Sequence, residues 1–353
     1  MKRTSLLYTL MTCLCLLTSC CKQSHELTSV FTEAESLMYE HPDSALHILQ
    51  AIPNPEGLTG QAQVDYALLL TQAKSRNRIC ATSDSLIRIA VDYYQNSDEM
   101  EQKAKSLLYL ADVYMDMERY ADATLPLKQA EELMEHVPDR QMQTMIYSNL
   151  GFLNRKAGDY EQAFSYYKKA LAINRANQDS ERIVSNLVNI MNLPIPEFAD
   201  SAENYIHQLE QEVTSARPEL QSKTYNNIGV YYLKQDLFKE AETFFKKAIS
   251  VSKDIHYRSY LNLADIYNIQ EKYKQADSLY QVALQSPIWE TRALIYKNIY
   301  QRKLKLGQTQ EAAQYMNQYI QAVDSFHTHR ESDQILRLQQ QYDQAVILRQ
   351  KDP

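Results

Sequence analysis

The chain has 353 residues, 44% of them apolar, and a formal net charge of −7. That apolar share excludes a disordered chain, and an acidic balance without a long basic block argues against nucleic acid as a partner. Six glycines and ten prolines beside 26 tyrosines favour helix over turn-rich β structure, since Tyr suits half-buried surfaces between packed helices.

Residues 1–19 read as a signal peptide. Lys2 and Arg3 precede an apolar run, Leu6–Leu17, a charged start and short core that mark an export signal. The run is too short to cross a bilayer, which takes about 20 apolar residues. Leu17-Thr18-Ser19-Cys20 resembles the bacterial lipobox. The resemblance implies cleavage before Cys20, lipid on its thiol and amine, and attachment to a membrane through those chains. Residues 20–26 then form a lipidated tether. Cys13 and Cys15 leave with the signal, and Cys21 and Cys80 are too far apart in sequence to suggest a disulfide framework or a zinc site. No later apolar run is long enough for a membrane span.

From residue 27 to residue 330 the chain reads as a ladder of helical hairpins. Each is marked by a small or turn-forming residue that opens its second helix: Pro42, Ser83, Ala123, Ala163, Ala202, Ala241, Ala276 and Ala312, spaced 35 to 41 residues apart. Asp43 or Ser44 is expected to cap the helix at Pro42. Pro53-Asn54-Pro55-Glu56-Gly57 marks a loop. The third hairpin places Leu107, Leu110, Ala111 and Tyr114 on one face. The fourth carries Tyr147, Leu150 and Gly151, then Gly158 in a turn, then Ala163, Tyr167 and Ala170. The fifth is weakest, because Pro194-Ile195-Pro196 stops its first helix. Pro218 opens the sixth as a first-turn proline.

That sixth hairpin, Ser222–Lys253, is the clearest. Tyr225, Ile228, Gly229 and Tyr232 recur at i, i+3, i+4 and i+7 on one helical face. After a turn around Gln235–Phe238, Ala241, Phe245, Ala248 and Ile249 form a second face. Gly151 and Gly229 are expected to let helices approach closely, and Gly158 and Gly307 to sit in turns. The seventh and eighth hairpins follow, with Leu263, Ala264, Ala276 and Tyr280, then Ile299, Leu304, Ala312 and Met316. Trp289, the one tryptophan, is expected to fill a helix interface. Residues 331–353 read as a C-terminal helix, either a polar cap on the last hairpin or a short coiled coil.

These residues resemble the tetratricopeptide repeat, whose period is about 34 residues. The resemblance implies an all-α, right-handed superhelical solenoid of about eight hairpins with a C-terminal capping helix. With the lipobox, the chain resembles tetratricopeptide-repeat lipoproteins of the Bacteroidetes type.

Catalytic chemistry is not expected. The chain has no Gly-rich phosphate loop, no His-Glu-x-x-His and no nucleophile elbow, and no cofactor site. His327 and His329 point about 200° apart on a helix and read as surface residues, not metal ligands. One pattern does recur. Asn149, Asn189, Asn227, Asn262 and Asn298 share one position on successive first helices, although Asn is worse than Ala in a helix by about 0.6 kcal/mol. In the family this position faces the concave groove, which implies amide contacts to the backbone of an extended peptide. The alternative is that each Asn bonds a neighbouring helix. Arg155, Lys156, Lys223, Lys234 and Arg258 are the groove's expected basic neighbours and would favour an acidic peptide.

The resemblance implies a non-catalytic envelope scaffold for a protein or peptide. No acidic run follows Cys20, so the outer membrane facing the periplasm is the expected location. Kinship with the repeat ectodomains of membrane-linked regulators implies an alternative, a sensor that signals through a separate membrane partner.

Overall fold

The computed structural model describes residues 27–194, 202–251 and 256–324. Among them are sixteen α-helices, two short 3-10 turns and no strand. In order these are α1 (27–37), α2 (Pro42–Gln50), α3 (Gln61–Arg76), α4 (Ser85–Tyr94), α5 (Met100–Asp116), α6 (Tyr120–Leu133), α7 (Arg140–Ala157) and α8 (Tyr160–Ala176). There follow α9 (Ser180–Met191), α10 (Ala202–Glu212), α11 (Pro218–Lys234), α12 (Phe238–Val251), α13 (Tyr257–Ile269), α14 (Tyr273–Ala283), α15 (Trp289–Lys305) and α16 (309–324). The signal, the tether and the C-terminal helix proposed from the sequence lie outside the described residues. So do Cys20, His327 and His329.

The chain divides into two compact units, one ending at Ala170 and one beginning at Leu171. Each is a stack of antiparallel helical hairpins. In the first unit α3 packs on α4 and α5 on α6, α4 and α6 lie on the first helix of the next hairpin, and α3, α5 and α7 neighbour one another. The second unit repeats the scheme. There α11 packs on α12 and α13 on α14, α12 lies on α13 and α14 on α15, and α9, α11, α13 and α15 follow one another as neighbours. Each unit therefore presents a row of first helices.

The marker alanines sit at the tightest points. Ala123, Ala163, Ala241, Ala276 and Ala312 are all completely buried, because a larger side chain would hold the two helices of a hairpin apart. Gly151 and Gly229 are under the same constraint. A Cβ on Gly151 would lie 2.6 Å from the Tyr167 ring, and one on Gly229 2.6 Å from the Phe245 ring. The small residue on the first helix and the aromatic on the second are thus one packing device. Around them the core is apolar, with Leu108, Leu127, Met142 and Ile146 fully enclosed in the first unit and Phe245, Tyr280 and Ile295 in the second.

The turns inside the hairpins are as regular as the packing. Arg78, Glu118, Gly158, Asp236, Glu271 and Gly307 each take a positive φ, between 56° and 84°. The next residue's N–H reaches back to a carbonyl five residues earlier, as from Arg119 to Tyr114, Asp159 to Asn154 and Leu237 to Tyr232. This is the Schellman closure that satisfies the free carbonyls of a helix end. Glycine is the natural residue there, yet only Gly158 and Gly307 supply it. Asp139 and Asp179 start α7 and α9 by accepting N–H bonds from the first turn.

Some sequence expectations are corrected. Neither Asp43 nor Ser44 caps α2. His41 stands at the cap and Pro42 takes the first helical position, which suits its fixed φ. Leu304 and Met316 are 46% and 37% exposed, unlike their buried hairpin neighbours Ile299 and Ala312. Pro218 does open α11, and α9 stops at Met191, just before Pro194. Trp289 is the first residue of α15 and is half-buried.

Candidate functional site

The five asparagines do not behave alike. In the first unit Asn149 on α7 donates from Nδ2 to Asp112 Oδ1 on α5, at 2.6 Å. In the second unit Asn262 on α13 donates to Asn226 Oδ1 on α11 at 3.0 Å, and Asn298 on α15 donates to Asp265 Oδ1 on α13 at 2.7 Å. Each bond ties one first helix to the one before it. Asn189 on α9 and Asn227 on α11 are half-buried and have no hydrogen-bond partner among the described residues. The recurring residue therefore has two uses. Three copies join helices through the amide nitrogen, and two keep the whole amide available.

The acceptors were not legible as a pattern until the donors were placed. Asp112 follows Ala111, and Asp265 follows Ala264, so both sit in the same register beside a small packing residue. Asp112 accepts from Ser75 Oγ at 3.0 Å as well as from Asn149. Asp265 Oδ1 accepts from Tyr280 Oη at 2.6 Å as well as from Asn298. Burial pushes both carboxyls up to about 6, against the opposing pull of these hydrogen bonds. Removal from water outweighs the donors.

The expected basic neighbours are dispersed. Lys223 and Arg258 are exposed and lie near His256, whose imidazole is held below its ordinary value first by burial and then by these two charges. Lys234 is exposed at the end of α11. In the first unit Arg155 lies over the Phe152 ring at 5.2 Å, and Lys156 lies over Tyr120 and Phe152. Lysine and arginine stems packed on rings in this way are partly occupied by their own surface.

A cavity of about 630 Å³ opens in the second unit among α11, α13 and α15. Of the groove residues expected from sequence, only Asn298 lines it. Leu233, Phe238, Asp265, Tyr273 and Arg302 supply much of the rest. Arg302 is buried, 6% exposed. Its guanidinium pairs with Asp277 Oδ1 at 2.5 Å, reaches Asn268 Oδ1 at 3.4 Å and covers the Tyr273 ring. Reading the sequence helix by helix missed Asp265 and Arg302, because their partners lie on other helices 15 to 34 residues away. The signal available was the recurrence of Asp after the small residue with Asn one repeat on.

Among the described residues no cluster of three or more His, Cys, Asp or Glu could hold a metal, and no helix is long and apolar enough to cross a membrane. Cys80 is exposed in the α3–α4 connection.

The tetratricopeptide repeat family model matches residues 87–177 and 220–286, a span from α4 through α8 and from α11 through α14. A Drosophila melanogaster protein, tetratricopeptide repeat protein 19 homolog, mitochondrial, is 22% identical over 237 residues. That alignment takes in 63% of this chain and 62% of the relative, so the chain spans under two thirds of that protein's length. Among solved structures, NprR in complex with its cognate peptide NprX is similar with a TM-score of 0.58 and 14% identity, covering 89% of this chain and 98% of that one. Rap protein complexed with competence and sporulation factor gives a TM-score of 0.59 and 14% identity, covering 86% and 99%. At such identities the likeness is one of fold, and that fold is the tetratricopeptide-like helical solenoid.

Proposed function

We propose that the protein is a non-catalytic scaffold that holds an extended protein or peptide segment along its first-helix rows, anchored to the cell envelope by lipid on Cys20. The observation that carries this reading is the divided use of the asparagine position. Asn189 and Asn227 keep both amide groups available, and the oxygens of Asn262 and Asn298 accept no bond among the described residues. Asn is a poor helix former, and a half-buried amide with no protein partner can exchange water for a ligand's donor and acceptor. A peptide backbone, which offers N–H and C=O in alternation, satisfies such amides without demanding one sequence. NprR and Rap, which share the fold, were solved with a peptide and a factor bound, and this supports the same use here.

Leu17-Thr18-Ser19-Cys20 supports the lipid anchor, and the lack of an acidic run after Cys20 supports the outer membrane facing the periplasm as its location. More than one acyl chain, each contributing about 0.8 kcal/mol per buried CH₂, gives a stable attachment.

The test separates binding from folding. Partners are captured by crosslinking from envelope membranes carrying the wild-type protein or Asn227→Ala. Asn227 has no internal partner, so the variant is expected to keep its melting temperature while the recovered partner falls by about fivefold, the loss of one hydrogen bond of about 1 kcal/mol. Equal recovery with both proteins would remove Asn227 from the contact surface. Recovery of a membrane-embedded signalling protein that depends on none of the asparagines would favour the sensor reading instead. Cys20→Ala is expected to abolish labelling by an alkyne fatty acid, and continued labelling would contradict the anchor.

A further inference from the structure

The cavity among α11, α13 and α15 has an electrostatic imbalance. Four charged residues line it, Asp236, Asp265, Arg302 and Lys305. Both bases already have acids of their own, Asp277 at 2.5 Å from Arg302 and Glu271 at 3.7 Å from Lys305. Neither acid is answered in return. Asp236, exposed in the α11–α12 turn, has no basic partner among the described residues. Asp265 receives both of its donors on Oδ1. Nothing among the described residues donates to Oδ2, and that oxygen is not sealed from solvent. Burial raises this carboxyl to about 6, because removal from water outweighs its two donors. Its volume of about 630 Å³ falls within the usual range of ligand pockets, and Leu233, Phe238 and Ile269 offer it an apolar wall.

We propose that this cavity is a side-chain pocket for an organic cation on a peptide ligand, the guanidinium of arginine or the ammonium of lysine. The charge is met by Asp265 Oδ2 and Asp236, and the aliphatic stem lies on the apolar wall. An anionic group would have to displace Asp277 from Arg302 and would face two unanswered carboxylates. The pocket rests on the reading that this face holds a peptide. It narrows that reading to a ligand with a basic position, the opposite of the acidic peptide expected from Lys223, Lys234 and Arg258.

Random dodecapeptides displayed on phage are selected against the full chain. The selected sequences are then made as N-acetylated peptides, with each basic residue replaced in turn by citrulline or norleucine. Affinities are measured by fluorescence anisotropy for the wild type, Asp265→Asn and Asp236→Asn. The expected result is one recurring Arg or Lys whose replacement weakens binding to the wild type by about tenfold, as for a charged hydrogen bond. The same replacement should matter little to Asp265→Asn and less than normal to Asp236→Asn. Peptides that bind without a recurring base, or whose base is equally important to all three proteins, would overturn the pocket and leave the scaffold reading standing. Binding that survives only with a free amino terminus would also overturn it, by placing the cation at the chain end. No selected peptide at all would overturn both readings. Asp236 is exposed in a turn, so its variant carries the comparison if Asp265→Asn does not fold.

Discussion

Gly229 and Asp265 illustrate how single residues hold this fold. A Cβ on Gly229 would stand 2.6 Å from Phe245 Cε1, and the ring is fully buried, so it has no free volume to move into. Gly229→Ala is expected to destabilise the protein by about 1–3 kcal/mol, despite the better helix propensity of Ala, as read by urea denaturation. An unchanged or raised midpoint would show that the ring yields. Asp112 and Asp265 make a second prediction. Their carboxyls are raised by burial in the folded state, so the folded protein holds protons that the unfolded chain releases. Their contribution is therefore complete below pH about 4 and is lost as pH rises through about 6. Asp116 adds to the shift at Asp112 and Arg76 opposes it, while Tyr280 and Asn298 oppose it at Asp265. The melting temperature of the wild type should fall between pH 5 and pH 7.5 by more than that of the Asp112→Asn, Asp265→Asn double variant. Parallel profiles would contradict the assignment. The glycine role was legible in the sequence from its place on an aromatic helical face. The carboxylate role was not, because desolvation depends on helices that the local pattern does not name.

At the scale of the element, each hairpin is a pair of helices closed by a left-handed turn. The positive φ at Glu118, Asp236 and Glu271 costs an L-residue about 1 kcal/mol, a cost glycine avoids. Glu271→Gly is expected to raise unfolding stability by about that amount, since among the described residues Glu271 makes one ion pair, the long, exposed one to Lys305, which contributes little. A lower denaturation midpoint would mean that the added freedom of the unfolded chain outweighs the relieved strain. Helix existence, the hairpin turns and the break at Pro194 were readable in advance, because apolar periodicity and proline act locally. The cap of α2 was misjudged, since Asp43 and Pro42 compete for adjacent positions and the proline's fixed φ decides. The left-handed turn residues were readable only at Gly158 and Gly307, where composition agrees with conformation.

For the whole molecule, the eight markers read from sequence correspond to eight hairpins among the described residues. Repetition made this legible, because each hairpin must bury its face against the next and so the same positions recur. The proposed binding face was only half legible. The asparagine register was visible, but its division into helix-joining and open amides depends on whether the preceding first helix offers an acceptor, as Asp112, Asn226 and Asp265 do. The cavity was not legible at all, since residues of three successive hairpins line it.

The central claim is that a partner lies along the first helices of the second unit. Photocrosslinking in intact cells tests it most directly, with p-benzoylphenylalanine placed at position 227 on α11 or, as a control, at exposed position 239 on α12. The account predicts a discrete crosslinked species from position 227 and none from position 239. Adducts from position 239 alone, or equally from both, would contradict it.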